Sequence, residues 1–222
     1  MEKKTVVLCD DHNIVRAGLR QIVESFGDFE VLDDVATGEA LFPLFQKQVP
    51  DILLLDISLP GRSGLEVLKQ VQSMYPKIAV LTLSMYPEDQ FAIRMIKAGA
   101  RGYLHKDSAP QILEDAMRTI MEGKQYISAE LTRIMIEELA KDDNELPHKS
   151  LSDREYEVLL YIGEGKSMTE IAAQLSLSIK TVSTYRSRIL EKMRLKSNSD
   201  LVKYILRHDL APGGSDPTQA TN

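Results

Sequence analysis

The sequence has a single cysteine and no long hydrophobic run, and each scarcity excludes a class of protein. Because Cys9 is the only cysteine among 222 residues, neither an intramolecular disulfide nor a cysteine-rich zinc site can form. No apolar stretch approaches the roughly 20 residues that a membrane-spanning helix needs. The first four residues lead into a strand-like segment rather than a signal peptide. We therefore expect a cytoplasmic protein that does not associate with a membrane.

Cys9 itself lies between Leu8 and Asp10, within a predicted strand. Burial in a strand raises the pKa of a thiol and makes it a poor nucleophile. We therefore interpret Cys9 as a small core residue, and a redox sensor is the alternative.

An excess of positive charge is concentrated in one segment near the C-terminus. The formal net charge of −6 would by itself argue against binding to nucleic acid. Residues 179–207, however, contain eight basic and two acidic side chains, so this segment carries +6 and the rest of the chain carries −12. Such a separation suggests an acidic module joined to one that binds a polyanion. A solvated basic helix is the alternative interpretation.

Short apolar runs alternate with helical patterns through the first half of the chain. The β-branched and aliphatic runs predict five strands, at residues 5–9, 30–35, 51–55, 78–82 and 102–104. Apolar residues at helical spacing predict helices at 14–26, 39–46, 65–74, 88–98 and 110–121. This order predicts an α/β domain over residues 1–123, with a parallel (βα)5 sheet covered by helices on both faces.

The pattern changes after residue 123. We expect a linker over residues 124–149, with a helix at 127–139 capped by Ser128 and a polar, proline-broken hinge at 141–149. From 150 to 208 the strand pattern disappears, and four helical stretches predict a small all-α domain. The tail 209–222 is rich in Pro, Gly, Ser and Thr, so we expect it to be disordered.

Polar residues follow four of the predicted strands. Asp10 and Asp11 follow the first, and the third, fourth and fifth are followed by Asp56, Ser84 and Lys106. Since ligands of an open α/β sheet bind beyond the carboxyl ends of its strands, these side chains should converge. Three adjacent carboxylates repel one another, which is tolerable only with protonation or a bound cation, and hard oxygen ligands suit Mg²⁺. Singly, each residue could cap a turn or lie in solvent, but together they supply what phosphoryl transfer to a carboxylate requires.

Four motifs, CDDH at 9–12, LDISLP at 55–60, LS at 83–84 and GYLHK at 102–106, resemble those of response-regulator receivers, which have a flavodoxin-like fold. The resemblance implies that Asp56 accepts a phosphoryl group from a sensor histidine kinase. It also implies that Mg²⁺ is held by Asp10, Asp11, Asp56 and the backbone carbonyl of Ser58.

The same resemblance implies a switch around the phosphorylated aspartate. Lys106 would contact the phosphoryl oxygens, Ser84 would move toward them, and Tyr103 would turn inward afterwards. Asp107 stands where the general receiver pattern has proline, a departure seen in the subfamily named after NarL and FixJ. The peptide geometry of this loop is therefore left open.

The second domain begins with a capping-box pattern, in which Ser152 is followed three residues later by Glu155. A helix at 168–175, a polar turn at 176–178 and a basic helix at 179–193 then have the arrangement of a helix-turn-helix. On the basic helix, Val182, Ile189 and Met193 share a face that should be buried. The opposite, polar face could enter the major groove of DNA.

Residues 151–207 resemble the LuxR-type effector domain, through EIA at 170–172, SIKTV at 178–182 and EKM at 191–193. By position in that pattern, Ser183, Thr184 and Ser187 would read bases. The phosphate contacts would be Lys180, Thr181, Tyr185, Arg186, Arg188 and Lys192. Because no base reader is Arg or Lys, DNA shape should contribute to specificity. In the family, an apolar stripe such as that at 201, 202, 205 and 206 can support dimerisation, and packing within the domain is the alternative.

These patterns predict a two-component transcription regulator of the NarL/FixJ type, which is not an enzyme and whose phosphorylation favours a homodimer on promoter DNA. One alternative is a receiver-fold regulator that acts through protein contacts without phosphorylation. Another is an aspartyl-phosphate phosphatase of the haloacid dehalogenase type. That chemistry needs a second acid two residues after the nucleophile, where this chain has Ser58, and it leaves the helical domain unexplained.

Overall fold

The computed structural model describes residues 3–140, 146–208 and 210. The chain divides into two compact units, Met1–Ala140 and Lys141–Asn222. Among the described residues, no helix is both long enough and apolar enough to cross a bilayer.

The first unit contains a five-stranded parallel sheet. Its strands are β1 (Lys4–Cys9), β2 (Phe29–Val35), β3 (Ile52–Asp56), β4 (Ala79–Ser84) and β5 (Gly102–His105). They are arranged in the order β2-β1-β3-β4-β5, which is the doubly wound, flavodoxin-like order. The aliphatic residues of β1, β3 and β4 are buried, as expected for parallel strands with both faces covered. The predicted (βα)5 fold is confirmed.

Helices cover the two faces of this sheet. They are α1 (Asn13–Ser25), α2 (Gly38–Lys47), α3 (Gly64–Met74), α4 (Glu88–Lys97) and α5 (Pro110–Met121). On one face, strand residues such as Leu8, Leu54 and Leu81 pack with Leu113 and Met117 of α5. Most strand residues in this core are aliphatic, whereas Asp56 and Ser84 are the last residues of their strands, at the carboxyl edge of the sheet.

A sixth helix, α6 (Ala129–Ala140), also belongs to the first unit. It packs against α4, and Leu131 is fully buried. Ser128 accepts a hydrogen bond from the Leu131 N–H at 2.9 Å, so this cap is present as predicted. The first unit therefore extends past residue 123, where the sequence predicted the end of the first domain, because Leu131 of this helix is buried on that unit.

The predicted hinge also ends earlier than expected. Residues 141–145 lie outside the described residues, but Pro147–Ser150 form a 3₁₀ turn in the second unit. His148 in that turn is buried, and its Nδ1 lies 2.8 Å from the hydroxyl of Tyr204. Proline in this segment starts a packed turn instead of a flexible hinge. Of the predicted disordered tail, residues 209 and 211–222 lie outside the described residues.

The described part of the second unit continues with four helices: α7 (Asp153–Gly163), α8 (Met168–Gln174), α9 (Ile179–Met193) and α10 (Asn198–Arg207). Helix α7 packs on both α9 and α10. Val182, Ile189 and Met193 of α9 are buried, which confirms the predicted core face. The apolar stripe of α10 is divided. Two of its members, Leu201 and Ile205, are buried within the unit, Val202 is half-buried and Leu206 is 66% exposed.

Candidate functional site

The carboxyl edge of the sheet brings together the acids and the lysine that the sequence singled out. Asp10 follows β1, Asp56 ends β3, and Lys106 follows β5. Lys106 Nζ lies 2.7 Å from Asp56 Oδ2 and 2.7 Å from Asp10 Oδ2. Possible ligand atoms of Asp10, Asp11, His12 and Asp56 all lie within 4.8 Å of one another. The topology therefore gathers three carboxylates in one cluster, and two of them, Asp10 and Asp56, contact the Lys106 ammonium group.

Burial controls the electrostatics of this cluster. Asp56 is 1% exposed, and burial raises the pKa of its carboxyl group, with Lys106 acting against that rise and the charge of Asp10 adding to it. Burial alone would lower the pKa of Lys106, but the carboxylates of Asp56 and Asp10 outweigh it and keep that pKa above its usual value. One ammonium group thus opposes three acids, and a further cation would relieve their repulsion.

The oxygen atoms of the cluster fit a divalent cation. Asp10 Oδ2 and Asp11 Oδ1 are buried atoms, and each contacts one nitrogen at 2.7 Å, on Lys106 and His12 respectively. Buried oxygens with spare acceptor capacity are ligands that suit Mg²⁺. The Ser58 N–H donates to Asp56 Oδ1 at 3.1 Å, and the assignment of the Ser58 carbonyl as a ligand stays a prediction.

Ser84, the last residue of β4, and Tyr103 of β5 are both fully buried. Ser84 Oγ accepts a hydrogen bond from the Tyr86 N–H at 2.9 Å. The hydroxyl of Tyr103 donates to the Tyr86 carbonyl at 2.8 Å. The structure thus places Tyr103 inward, with the serine and the tyrosine bonded to the same residue of the β4–α4 loop. The movement of Ser84 on phosphorylation stays a prediction, whereas the inward position that the resemblance gave to Tyr103 after phosphorylation is already present in this structure.

Two side chains of the site were missed by the sequence reasoning. Arg16 of α1 donates to the Asp10 carbonyl and contacts Asp34 Oδ2 at 2.9 Å. His12 Nδ1 lies 2.7 Å from Asp11 Oδ1 and 3.3 Å from Asp10 Oδ1. The only available signal for Arg16 was a charged residue in the first turn of an amphipathic helix. Arg16 holds the backbone of Asp10, and His12 contacts the acids directly.

Cys9 is buried at the end of β1. Burial, followed by the charges of Asp56 and Asp10, raises the pKa of its thiol far above the ordinary value. A thiol of this kind is not ionised at neutral pH and reacts poorly. This environment agrees with its interpretation as a core residue.

Helix α8 is joined to α9 by a turn whose geometry is set by two serines. Ser176 has a φ of 53°, and the next residue, Leu177, donates its N–H to the Ala172 carbonyl at 2.8 Å, as in a Schellman helix end. Ser178 then caps α9 by accepting from the Thr181 N–H at 3.0 Å. The sequence thus ends one helix and begins the next within four residues.

Most of the predicted DNA contacts lie on the outer face of α9. Ser183, Thr184, Ser187, Lys180, Arg188 and Lys192 are exposed, and Thr181, Tyr185 and Arg186 are half-buried. One depression in this face is lined by Lys180, Thr181, Thr184, Tyr185 and Arg188.

Two of the predicted phosphate contacts are already engaged within the second unit. Lys192 Nζ lies 2.6 Å from Oε2 of the buried Glu155. Arg186 Nε donates to Asn198 Oδ1 at 2.5 Å. These two side chains stabilise contacts of α9 with its neighbours, so each would have to give up a partner to bind DNA.

The fold and the two sites define a receiver followed by a helix-turn-helix domain, and comparison with known proteins identifies the family. The family model described as "Response regulator receiver domain" matches residues 6–118. The model described as "Bacterial regulatory proteins, luxR family" matches residues 149–205. The chain belongs to the response regulators of the NarL/FixJ family.

Individual relatives match over nearly their whole length. Response regulator UvrY of Escherichia coli K12 is 34% identical over 206 residues, which cover 92% of this chain and 94% of UvrY. Oxygen regulatory protein NreC of Staphylococcus carnosus is 34% identical over 92% of this chain and 98% of NreC. A solved structure of RcsB from Salmonella enterica serovar Typhimurium, bound to promoter rprA with the phosphomimetic BeF3-, has a TM-score of 0.64 and 25% identity over 92% of this chain and 99% of that one.

Proposed function

We propose that this response regulator is switched by Mg²⁺-dependent phosphorylation of Asp56 and then binds promoter DNA through α9. One observation carries the proposal: Asp56 is buried at the carboxyl edge of the sheet, with Lys106 Nζ 2.7 Å from both Asp56 and Asp10. A sensor histidine kinase would supply the phosphoryl group. The similarity to RcsB in complex with a promoter and a phosphomimetic supports both parts of the proposal.

Different residues of the cluster would have different roles in the transfer of the phosphoryl group. An oxygen of Asp56 attacks the phosphorus atom of the phosphohistidine, and the bond from phosphorus to the imidazole nitrogen breaks. Lys106, which already neutralises this carboxylate, moves its ammonium contact to the phosphoryl oxygens. The residues that would hold Mg²⁺ are Asp10, Asp11, Asp56 and the backbone carbonyl of Ser58. When bound, the ion would supply positive charge for the phosphoryl oxygens.

The buried hydroxyl groups would report the new charge. Phosphorylation adds strong acceptor oxygens next to Ser84, whose Oγ is bonded to the Tyr86 N–H. A shift of Ser84 toward the phosphoryl group would release that N–H and alter the loop that Tyr103 holds. The switch would therefore act by changing the hydrogen bonds of the β4–α4 loop.

At the DNA, the exposed face of α9 would enter the major groove. Ser183, Thr184 and Ser187 would approach base edges, while Lys180, Thr181, Tyr185 and Arg188 would contact phosphates. Arg186 and Lys192 would contribute only after leaving their present partners. The exposed Leu206 and half-buried Val202 of α10 provide an apolar strip for a homodimer on DNA.

The first experiment tests the phosphoacceptor. Incubation of the full chain with acetyl phosphate should add one phosphoryl mass in the presence of Mg²⁺ and none with a chelator. Asp56→Asn should abolish the added mass because an amide is not a nucleophile for this reaction, and Asp33→Asn, at an exposed acid of β2, should leave it unchanged. Intact-protein mass spectrometry measures the result.

Persistent labelling of the Asp56→Asn variant would refute the site. An unlabelled wild-type chain would instead favour regulation through protein contacts without phosphorylation. The matched acid in β2 shows whether a loss of labelling reflects the particular carboxylate or the removal of any acidic charge.

A further inference from the structure

A hydrogen bond between two side chains joins the β4–α4 loop to the beginning of α6. Ser128, the residue before α6, donates its hydroxyl hydrogen to Glu88 Oε2. The same Ser128 oxygen accepts the Leu131 N–H at 2.9 Å. Glu88 is the first residue of α4. One serine therefore caps α6 and also attaches it to the start of α4.

The other end of this connection is the buried tyrosine of the switch. Tyr103 Oη donates to the Tyr86 carbonyl at 2.8 Å and lies 3.4 Å from the Pro87 carbonyl. Both carbonyls immediately precede Glu88 in the chain. A change in the hydroxyl contact of Tyr103 must therefore alter the backbone from which the Glu88 side chain projects.

The hydrogen bond between Glu88 and Ser128 is partly shielded from water, so breaking it should cost free energy. Leu131 is fully buried and Glu88 is half-buried. Burial raises the pKa of the Glu88 carboxyl group, although the hydrogen bond from the Ser128 hydroxyl acts in the opposite direction. A partly desolvated carboxylate that loses its donor is left poorly paired. Movement of Glu88 away from Ser128 is therefore costly unless α6 moves with it.

We propose that Glu88 and Ser128 are positioning residues that transmit changes at Ser84 and Tyr103 to α6, which in turn leads along the chain to the DNA-binding unit. The proposal rests on the function proposed above. The two ends of the coupling are the Tyr103 hydroxyl and the first turn of α6. Because such coupling is reciprocal, a change at either end must alter the conformational free energy of the other end.

Two substitutions separate transmission from simple helix capping. Ser128→Asp retains an N-cap acceptor for the Leu131 N–H but places a second carboxylate against Glu88. Thr132→Ala is the matched control, because Thr132 Oγ1 donates to the Ser128 carbonyl at 2.9 Å from an exposed position in the same turn. Glu88→Gln is the conservative variant, since its amide oxygen can still accept from Ser128.

The first readout is hydrogen exchange of the α6 backbone amides in the full chain. Tyr103→Phe, which removes only the switch hydroxyl, should increase exchange at Leu131 and its neighbours by roughly fivefold or more, a typical size for coupling between sites. This increase should vanish when Ser128→Asp is also present. It should persist beside Thr132→Ala or Glu88→Gln.

The second readout is the ratio of DNA affinities with and without acetyl phosphate, measured on a promoter fragment that the wild type binds. Ser128→Asp should reduce this ratio severalfold without changing the mass labelling of Asp56, while Thr132→Ala should preserve it. A failure of Asp56 labelling would refute the proposed function, whereas the Tyr103–Ser128 double-mutant cycle does not depend on phosphorylation. Independent effects of Tyr103→Phe and Ser128→Asp on α6 exchange would overturn the coupling, whatever happens at Asp56.

Discussion

Gly64 allows α3 to begin directly against the segment that carries Asp56, because glycine has no side chain. The Gly64 N–H donates to the Ile57 carbonyl at 2.9 Å, so the start of α3 lies directly against the end of β3. A β-carbon at this position would lie 2.3 Å from the Asp56 carbonyl oxygen and 2.6 Å from the Ile57 Cα. These obstacles are backbone atoms, which cannot rotate away. Any larger residue must therefore displace the segment that carries Asp56.

Gly64→Ala should lower the free energy of unfolding of the first unit by about 1–3 kcal/mol, the usual cost of overpacking, and should slow the labelling of Asp56 by acetyl phosphate. Gly18→Ala is the control, because a β-carbon at Gly18 in α1 meets no atom within 4 Å and alanine favours a helix by up to about 1 kcal/mol. Calorimetry of the full chain measures both changes. Equal stability of the two variants would show that the loop can yield.

At the residue scale, the sequence predicted the acids, the lysine and the serine because strand ends determine where their backbones lie. The rule that ligands of α/β sheets bind at the carboxyl edge needs no side-chain detail. The contacts of Arg16 and His12 were missed because they depend on which way a helix turns and on side-chain rotamers. Chain position alone does not contain that information.

At the element scale, two positive φ angles in the second unit provide a matched pair of tests. Ser176 has a φ of 53° and Gly165 a φ of 79°, and a β-carbon at Gly165 would meet nothing within 4 Å. Left-handed backbone costs a residue with a β-carbon roughly 1–2 kcal/mol, partly offset by the greater freedom of glycine in the unfolded chain.

Ser176→Gly should therefore raise the free energy of unfolding by about 0.5–1 kcal/mol, and Gly165→Ala should lower it by a similar amount. Urea denaturation of the full chain, followed by circular dichroism at a helical wavelength, measures both variants. A loss of stability in Ser176→Gly would mean that its side chain makes a contact worth more than the backbone strain.

The assignment of α6 to a linker in the sequence analysis has a physical cause at the same scale. Hydrophobic spacing correctly predicted a helix at 127–139 and its Ser128 cap, but the following charged residues led to its assignment to a linker. Periodicity shows that a helix has an apolar side and does not show which surface covers that side. Burial of Leu131 against the receiver could be learned only from the three-dimensional fold.

The ion pair between α7 and α9 gives the second unit a defined response to acid. Glu155 is 2% exposed, and burial alone would raise the pKa of its carboxyl group. The Lys192 ammonium and the Ser152 hydrogen bonds outweigh burial and lower that pKa below its ordinary value of 4.5. Because the folded-state pKa is depressed, the stabilisation is present above pH 4.5 and disappears as the pH falls through the folded-state value.

The melting temperature of the second unit should consequently fall as the pH is lowered below 4.5. Lys192→Met should lower the melting temperature already at neutral pH, since Glu155 is then buried without its cation. Its melting temperature should therefore fall less than that of the wild type when the pH is lowered. Lys180→Met, at an exposed lysine of the same helix, should keep the wild-type pH dependence. Thermal melts between pH 3 and 7 test this, and parallel curves for wild type and Lys192→Met would rule out the ion pair as the cause.

For the whole molecule, the uneven charge distribution agrees with the presence of an acidic receiver in the first unit and a basic helix-turn-helix domain in the second. The sequence was sufficient to predict an acidic receiver and a basic helical domain because net charge and periodicity are summed over many residues. The sequence could not predict which basic side chains are free of acidic partners within the folded domain and which are already paired. Arg188 is exposed beside Lys180 and Tyr185, whereas Lys192 is paired with Glu155, although both were expected to bind phosphates.

Salt dependence of DNA binding separates these two cations. Each phosphate contact releases counterions, so removing one contact should reduce the slope of log affinity against log salt by about 0.9. Arg188→Ala should show this reduction on a random-sequence 30-base-pair duplex, because its exposed guanidinium lies on the proposed DNA-binding face of α9. Lys192→Ala should keep the wild-type slope while lowering the melting temperature, because its ammonium already neutralises Glu155. Equal flattening by both substitutions would mean that Lys192 exchanges Glu155 for a phosphate on binding, and that the ion pair between α7 and α9 opens in the complex.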